Sequence, residues 1–273
     1  MDRRDALELV GASLPLAFLL GVGVMQFPIS SKAPPEWPDE PTESAVTSYA
    51  ARYWVVSAHN RVLDDQGWSR GYYESISHGC EAAFEAETSA GFVVTLATSG
   101  SSSVRKSPLH SPLVSNGSMG PRTLLVSEAE VVETRLDHDD FEQDWDPPFS
   151  TRGITVVNFS PEKHRVDMII RRADASGEPV FSEVFNLDAE WGETALEILD
   201  EPGEYEVGVS ISEHTRTTYE WEISDEPREP TTSPLGSTYD VALGVYVLPD
   251  GTVEIHELPE ERTTASESIT ERI

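Results

Sequence analysis

The sequence predicts an α+β N-terminal domain, one helix on an antiparallel sheet, followed by an all-β antiparallel sandwich and preceded by a single N-terminal transmembrane helix. Three observations carry this reading. Leu9 to Phe27 is a run of nineteen residues without a charge, about the length an apolar helix needs to cross a bilayer. Between Ser44 and Asp65, the apolar residues recur at three- and four-residue spacing, which is the period of a helix with one buried face. From Gly153 onward, about eight short strand-like runs alternate with Gly, Pro and Asp turns, as in an antiparallel sandwich.

The charge balance limits the partners. The 273 residues hold 49 Asp+Glu against 19 Lys+Arg, a formal net charge of −30. Residues 1–33 sum to zero, since Asp2, Asp5 and Glu8 offset Arg3, Arg4 and Lys32, so the whole excess lies in residues 34–273. Only Lys32, Lys106 and Lys163 are lysines. Nucleic acid is excluded as a partner, because phosphate binding is driven by cationic side chains. Dispersed carboxylates repel one another at low ionic strength, and molar salt shortens the Debye length to about 3 Å and removes that repulsion. The pattern reads as halophilic. With 38% hydrophobic residues the chain has material for a core, and the single cysteine, Cys80, rules out an intramolecular disulfide framework.

Arg3-Arg4 ahead of the uncharged run would hold the amino end in the cytoplasm and send the rest outward. Ser31-Lys32-Ala33 has the small-x-small form of a cleavage site, and Pro34 after it disfavours cleavage. A retained anchor in the cell membrane, with the bulk of the chain extracellular, and a cleaved signal releasing a secreted protein both stay open. Residues 28–43 contain five prolines and four acids, the composition of a semi-rigid spacer.

The first domain is expected over residues 44–136. Ser44 would cap the helix, and Asp64-Asp65-Gln66-Gly67 would end it. Strand-like runs follow at 72–76, 80–88, 91–98 and 123–132, with Ser89-Ala90-Gly91 as a hairpin turn. Ser99 to Arg122 is Ser/Gly/Pro-rich and reads as a long mobile loop. Residues 137–150 open with six acids in ten positions. That segment lacks the glycine a calcium loop turns on, so it reads as a solvated acidic linker.

The sandwich is expected over residues 151–258. Tyr205, Val207, Val209 and Ile211 share one face by strict alternation, and Pro249-Asp250-Gly251 marks a hairpin. Trp191-Gly192 reads as a turn. Residues 259–273 are polar and read as a disordered tail.

The search for chemistry yields few residues. No G-x-S-x-G elbow, phosphate-cradling loop or H-E-x-x-H helix occurs, so no catalytic residue, metal site or cofactor is assigned. His78-Gly79-Cys80 offers two ligands from one strand end, short of the three a catalytic zinc needs. The aromatic group Tyr49, Tyr53, Trp54, Trp68, Tyr72 and Tyr73 would line an apolar cleft if helix and sheet left one open. Asn116 and Asn158 stand in acceptor sequons, Asn116 in the expected loop. Two functions follow: a membrane-anchored surface protein with a non-catalytic structural or protein-binding sandwich, its partners the membrane and other surface proteins, or a small-ligand or enzymatic role for the α+β domain through the aromatics with His59 or His78.

The run GITVVNFSPEKHRVDMIIRRADASGEPVFSEVFNLDAEW, with LDEPGEYEVGVSI and TYEWEI after it, resembles the immunoglobulin-like or cupredoxin-like β-domains of exported proteins from halophilic archaea. The resemblance implies a cell-surface location. It does not bring blue-copper chemistry with it, because that site needs a cysteine beside histidines and the β-domain has none.

Overall fold

A computed structural model of the protein describes residues 30–65, 72–105, 113–118, 121–137, 152–174, 178–199, 201–211, 216–224, 241–259 and 262–272. Helix α1 spans Glu43–Asp65. Thr42 caps it in place of Ser44: its Oγ1 accepts a hydrogen bond from Ala45 N at 3.3 Å, satisfying a first-turn amide that has no partner inside the helix. The proline-rich stretch ahead of it is not a stand-off spacer. Residues 30–37 lie back along the helix, where Asn60 pairs with both backbone groups of Lys32 at 2.8 and 2.9 Å and Trp37 meets Tyr49 edge-on at 5.1 Å.

Fourteen strands follow among the described residues: β1 (Tyr72–Thr88), β2 (Gly91–Arg105), β3 (Leu113–Ser118), β4 (Arg122–Val126), β5 (Val131–Asp137), β6 (Arg152–Asn158), β7 (His164–Arg172), β8 (Phe181–Leu187), β9 (Trp191–Leu199), β10 (Gly203–Ser210), β11 (Arg216–Ile223), β12 (Val241–Val247), β13 (Val253–Glu257) and β14 (Thr264–Arg272). They form a ten-stranded sheet in the order β13-β12-β6-β9-β5-β4-β2-β1-β14, with β3 also on β2, and a four-stranded sheet in the order β11-β10-β7-β8.

The expected fold class is therefore corrected on several points. The described residues are mostly β with one helix, and the two halves share one sheet. That sheet passes from the first half to the second where β5 runs parallel to β9, Arg135 to Asp137 opposite Trp191 to Glu193. At this seam a Cβ on Gly192 would lie 2.7 Å from Leu136 Cδ2 and 3.2 Å from the Val156 carbonyl oxygen, so a larger residue would displace the Leu136 side chain. Gly192 is a close-approach residue inside β9, and the turn before it is made by Glu190 at φ 55°. The expected transmembrane helix is not found: among the described residues no helix is long and apolar enough to cross a membrane, and Leu9–Phe27 lies outside them.

Two stretches read as irregular are strands. β2 continues through the serines to Arg105 because β1 pairs with it on one edge and β3 on the other. Backbone hydrogen bonds hold this ladder although Ser and Gly contribute little packing. Residues 264–272, read as a disordered tail, pair with β1 from Ala83↔Thr264 to Ser75↔Arg272. The acidic stretch 138–150 lies outside the described residues. The two hairpin turns come out as read, with Gly91 at φ 144° and Gly251 at φ 83°.

Three apolar layers stack the elements. α1 buries Val46, Ala50, Trp54 and Ala58 against Cys80, Ala82, Leu96, Leu124 and Val126. The opposite face of the same strands, through Ala86, Val93 and Leu125, packs on Val157, Phe159 and Tyr246. For Val93 on β2 to reach Val157 on β6, the long sheet must curl back on itself. The third layer joins Ile154, Val156, Val245 and Val247 to Met168, Ile170, Phe185, Val207 and Trp221 of the four-stranded sheet, and this layer is the sandwich. β6 and β12 are thus buried on both faces, which is why their sequences are nearly continuous apolar runs.

Candidate functional site

Helix α1 runs antiparallel to β1, and its inward face decides what becomes of the aromatic residues. Tyr49 lies at the hairpin end: Tyr53 stacks on it at 6.0 Å, and Trp37 links it to Phe92, which pairs with Glu87. Tyr72 and Tyr73 start β1, pairing with Arg105 and Val104. From Tyr72 to Glu87 is fifteen residues, about 50 Å of strand at ~3.3 Å per residue. The two groups are not brought together, and the cleft expected from them is not assembled. Trp54 sits between them at 1% exposure, filling the helix–sheet interface, while Trp68 lies outside the described residues.

Trp54 covers the one chemically distinctive spot under the helix. β1 directs Ile76, His78, Cys80 and Ala82 toward α1 by strand alternation, all of them buried. The His78 ring lies 6.3 Å from Trp54 and 6.4 Å from His59, edge-on to both. Neither of its nitrogens has a hydrogen-bond partner. His59 faces the segment before the helix, its Nε2 3.2 Å from the Ser30 carbonyl. Burial, with the charges of His59 and Arg61, pushes the His78 imidazole down to about 4. Burial pushes the Cys80 thiol up to about 12, helped by Glu81 and Glu267. Both side chains are neutral at pH 7 and sealed from solvent. A buried protonated thiol is a poor nucleophile, and among the described residues no group of three or more His, Cys, Asp and Glu is placed to hold a metal ion.

A pH dependence follows from His78. An unfolded chain takes up a proton near 6.5, whereas the folded chain resists it until about 4. Stability is therefore fully present above pH 6.5 and is lost as pH falls toward 4, by up to about 3 kcal/mol at 1.36 kcal/mol per unit. Thermal unfolding at fixed salt between pH 8 and 4 should show this loss. His78→Leu should flatten it; an unchanged acid profile in that variant would assign the loss elsewhere.

A second polar cluster lay beyond sequence reasoning. Glu85, 4% exposed, receives Arg262 Nη1 at 2.9 Å, while Arg262 Nη2 donates to the Val241 carbonyl at 3.1 Å. Burial raises the Glu85 carboxyl despite the opposing pull of Arg262, and raises the neighbouring Tyr246 hydroxyl well above its usual range. Nearby, Glu254 accepts hydrogen bonds from the backbone and hydroxyl of Ser89 and meets His256 Nε2 at 2.9 Å. Both clusters tie the first hairpin to the C-terminal strands, 165 to 177 residues away. Nothing in the local sequence marks either pair.

The two sequons differ in setting. Asn116 stands in strand β3 opposite Ser101 and not in a loop. Asn158 is 0% exposed: its amide donates to the Glu162 and Asp188 carbonyls at 2.7 and 2.9 Å and its oxygen accepts from Ser160 N. Such a side chain joins two turns and is not available to a glycosyl donor.

Residues 162–263 match the Halobacterial Ig-like domain family, so an Ig-like domain of the halobacterial type is present. The match runs from just before β7 to just before β14 and takes in seven strands, β7 to β13. No curated protein matches the chain. Two structures of the PapC usher translocation pore align at 8% identity. One covers 57% of this chain and 40% of that chain at a TM-score of 0.20, the other 55% and 37% at 0.19. Alignments this weak carry no argument, and the chain spans well under half of either pore.

Proposed function

We propose that this chain is a non-catalytic interaction or scaffold protein that works outside the cell of a halophile. The observation that carries the reading is the halobacterial Ig-like domain, set in a fold whose three layers are filled with buried apolar side chains. Immunoglobulin-like sandwiches present rigid faces and edges to other macromolecules. A net charge of −30 opposes nucleic acid and suits a protein or cell-envelope partner in strong salt. Support for an external location comes from the sequence alone, in the uncharged run behind Arg3-Arg4.

Two measurements test this. Protease added to intact cells should release fragments of residues 30–272, and cross-linking on the same cells should recover neighbouring envelope proteins. Full protection of the chain would overturn the external location. Independently, the fold should need salt. Circular dichroism of the chain from millimolar to molar sodium chloride should show a gain of ordered β-structure and a higher melting temperature at the high end. Equal stability at both ends would remove the halophilic reading.

A further inference from the structure

The sheet face that α1 covers carries a cluster of arginines beside the last turns of the helix. Leu124 of β4 and Val131 of β5 pack in the α1 layer, and strand alternation sets Arg122, Glu133 and Arg135 on that same face. Arg122 and Arg135 stand directly opposite each other in the ladder, a like-charge cross-strand pair that is destabilising by itself. A third guanidinium comes from α1. Arg61 Nη2 lies 2.7 Å from Glu133 Oε2 and Arg122 Nη1 lies 2.8 Å from Glu133 Oε1, so one carboxylate serves two arginines. Arg135 is exposed, and among the described residues no ion pair reaches its guanidinium. The Arg122 side chain is 13% exposed, and its Nε is buried without a hydrogen-bond partner. Burial pulls the Arg122 guanidinium below its ordinary range; Glu133 opposes this, and Arg135 and Arg61 add to it. Three arginines meeting one acid reverse the balance of a chain with 49 Asp+Glu against 19 Lys+Arg.

We propose that Arg61, Arg122 and Arg135 form a binding site for one small tetrahedral dianion, a phosphate or sulfate group, either free or borne on a small ester. The charges select this ligand. Three guanidiniums with the single Glu133 carboxylate leave two positive charges uncompensated, which a dianion cancels and a monocarboxylate only halves. The geometry agrees. Antiparallel partners lie about 4.5–5.5 Å apart at Cα, so the Arg122 and Arg135 side chains leave the sheet as neighbours, and guanidinium forks hold phosphate oxygens at about 2.7–2.9 Å. Glu133 is a positioning residue that fixes Arg61 and Arg122, while Arg135 and the 49% exposed Arg61 side chain stay open to the ligand. The repulsion between Arg122 and Arg135 is then offset when the anion sits between them. A net charge of −30 does not oppose this, because in molar salt screening acts within about 3 Å, and the anion meets the nearest guanidiniums rather than distant carboxylates. A nucleic acid, with one charge per about 1.7 Å of axis, would run far beyond the cluster onto the acidic surface.

Equilibrium dialysis of the full-length chain against radiolabelled inorganic phosphate, at pH 8 in molar sodium chloride, should show saturable binding of one ion per chain. Arg135→Gln should raise the dissociation constant roughly tenfold or more, as expected for a lost charge-assisted contact. Arg165→Gln, which removes an exposed arginine of β7, should leave it unchanged. Melting separates binding from a structural role. Without phosphate, Arg135→Gln should melt no lower than the parent, since it relieves a like-charge pair; added phosphate should raise the melting temperature of the parent more than that of the variant. Unlabelled sulfate should displace the label, and acetate at the same concentration should not. Displacement by glycerol phosphate would extend the site to esters, and retention of the label against it would assign the site to the free ion. No saturable binding, binding that Arg135→Gln leaves intact, displacement by acetate as readily as by sulfate, or an Arg135→Gln variant that melts below the parent without phosphate each overturns the site.

Discussion

Replacing Arg262 with alanine should destabilise the fold by about 3–5 kcal/mol, the cost of leaving a buried charge without its partner. Arg262 crosses from the sandwich side of the long sheet to the first hairpin. One guanidinium nitrogen holds Glu85 and the other holds the Val241 carbonyl, while the adjacent Thr263 carbonyl accepts from Phe84 N at 2.9 Å. Without the guanidinium, the Glu85 carboxylate must either ionise in an apolar layer or take up a proton. Burial already raises that carboxyl, so the deficit should shrink as pH falls and the acid form becomes populated. Urea unfolding of Arg262→Ala in molar salt, at pH 8 and pH 5, measures both effects. The double variant Glu85→Leu with Arg262→Met should recover most of the loss, because an apolar pair of similar volume needs no counter-charge. A loss below about 1 kcal/mol, typical of an exposed pair, would show that this contact does not close the fold.

Trp54→Ala should cost a similar amount, about 3–5 kcal/mol for removing a large buried aromatic side chain. Trp54 is 1% exposed and fills the space between α1 and the β1 face carrying His78 and Cys80. Its removal opens a void at His78, whose two unpartnered nitrogens would gain access to water. The variant should therefore lose stability at pH 8 and also lose part of the acid sensitivity that His78 confers. Trp54→Phe should cost less and keep the acid profile. Thermal unfolding of the three proteins across pH decides this. An alanine variant as stable as the parent would mean that α1 is not held by this face.

The periodic parts of this fold were legible in the sequence because their period is set by backbone geometry alone. α1 shows its three- and four-residue spacing, β10 its alternation of Tyr205, Val207 and Val209, and the two glycine turns their positive φ. The halobacterial sandwich was legible for the same reason, as a series of short strands with turn residues between them. The site residues were less so. His78 and Cys80 are two residues apart on a strand, and that spacing sets them on one face; what covers that face is chosen by α1. The six aromatics looked like a group because they are near in sequence, yet the seventeen-residue strand β1 carries Tyr72 away from the hairpin end where Tyr49 lies.

What the sequence by itself determined is local: one helix, the turns, the apolar faces, the dispersed negative charge and the absence of a disulfide framework. The tertiary structure decided which strands are neighbours. β14 reads as a polar tail because half its surface stays wet, and it is a strand because β1, almost two hundred residues earlier, offers an open row of backbone groups and Glu85 offers a partner to Arg262. β5 joins β9 over three residue pairs, and Gly192 leaves room there for the Leu136 side chain. Such pairings are settled by complementarity between segments far apart in the chain, where every backbone group accepts any other and only the packed side chains choose. No window of sequence contains both members of the pair, so the single curled sheet that unites the two halves becomes visible only when the chain is folded.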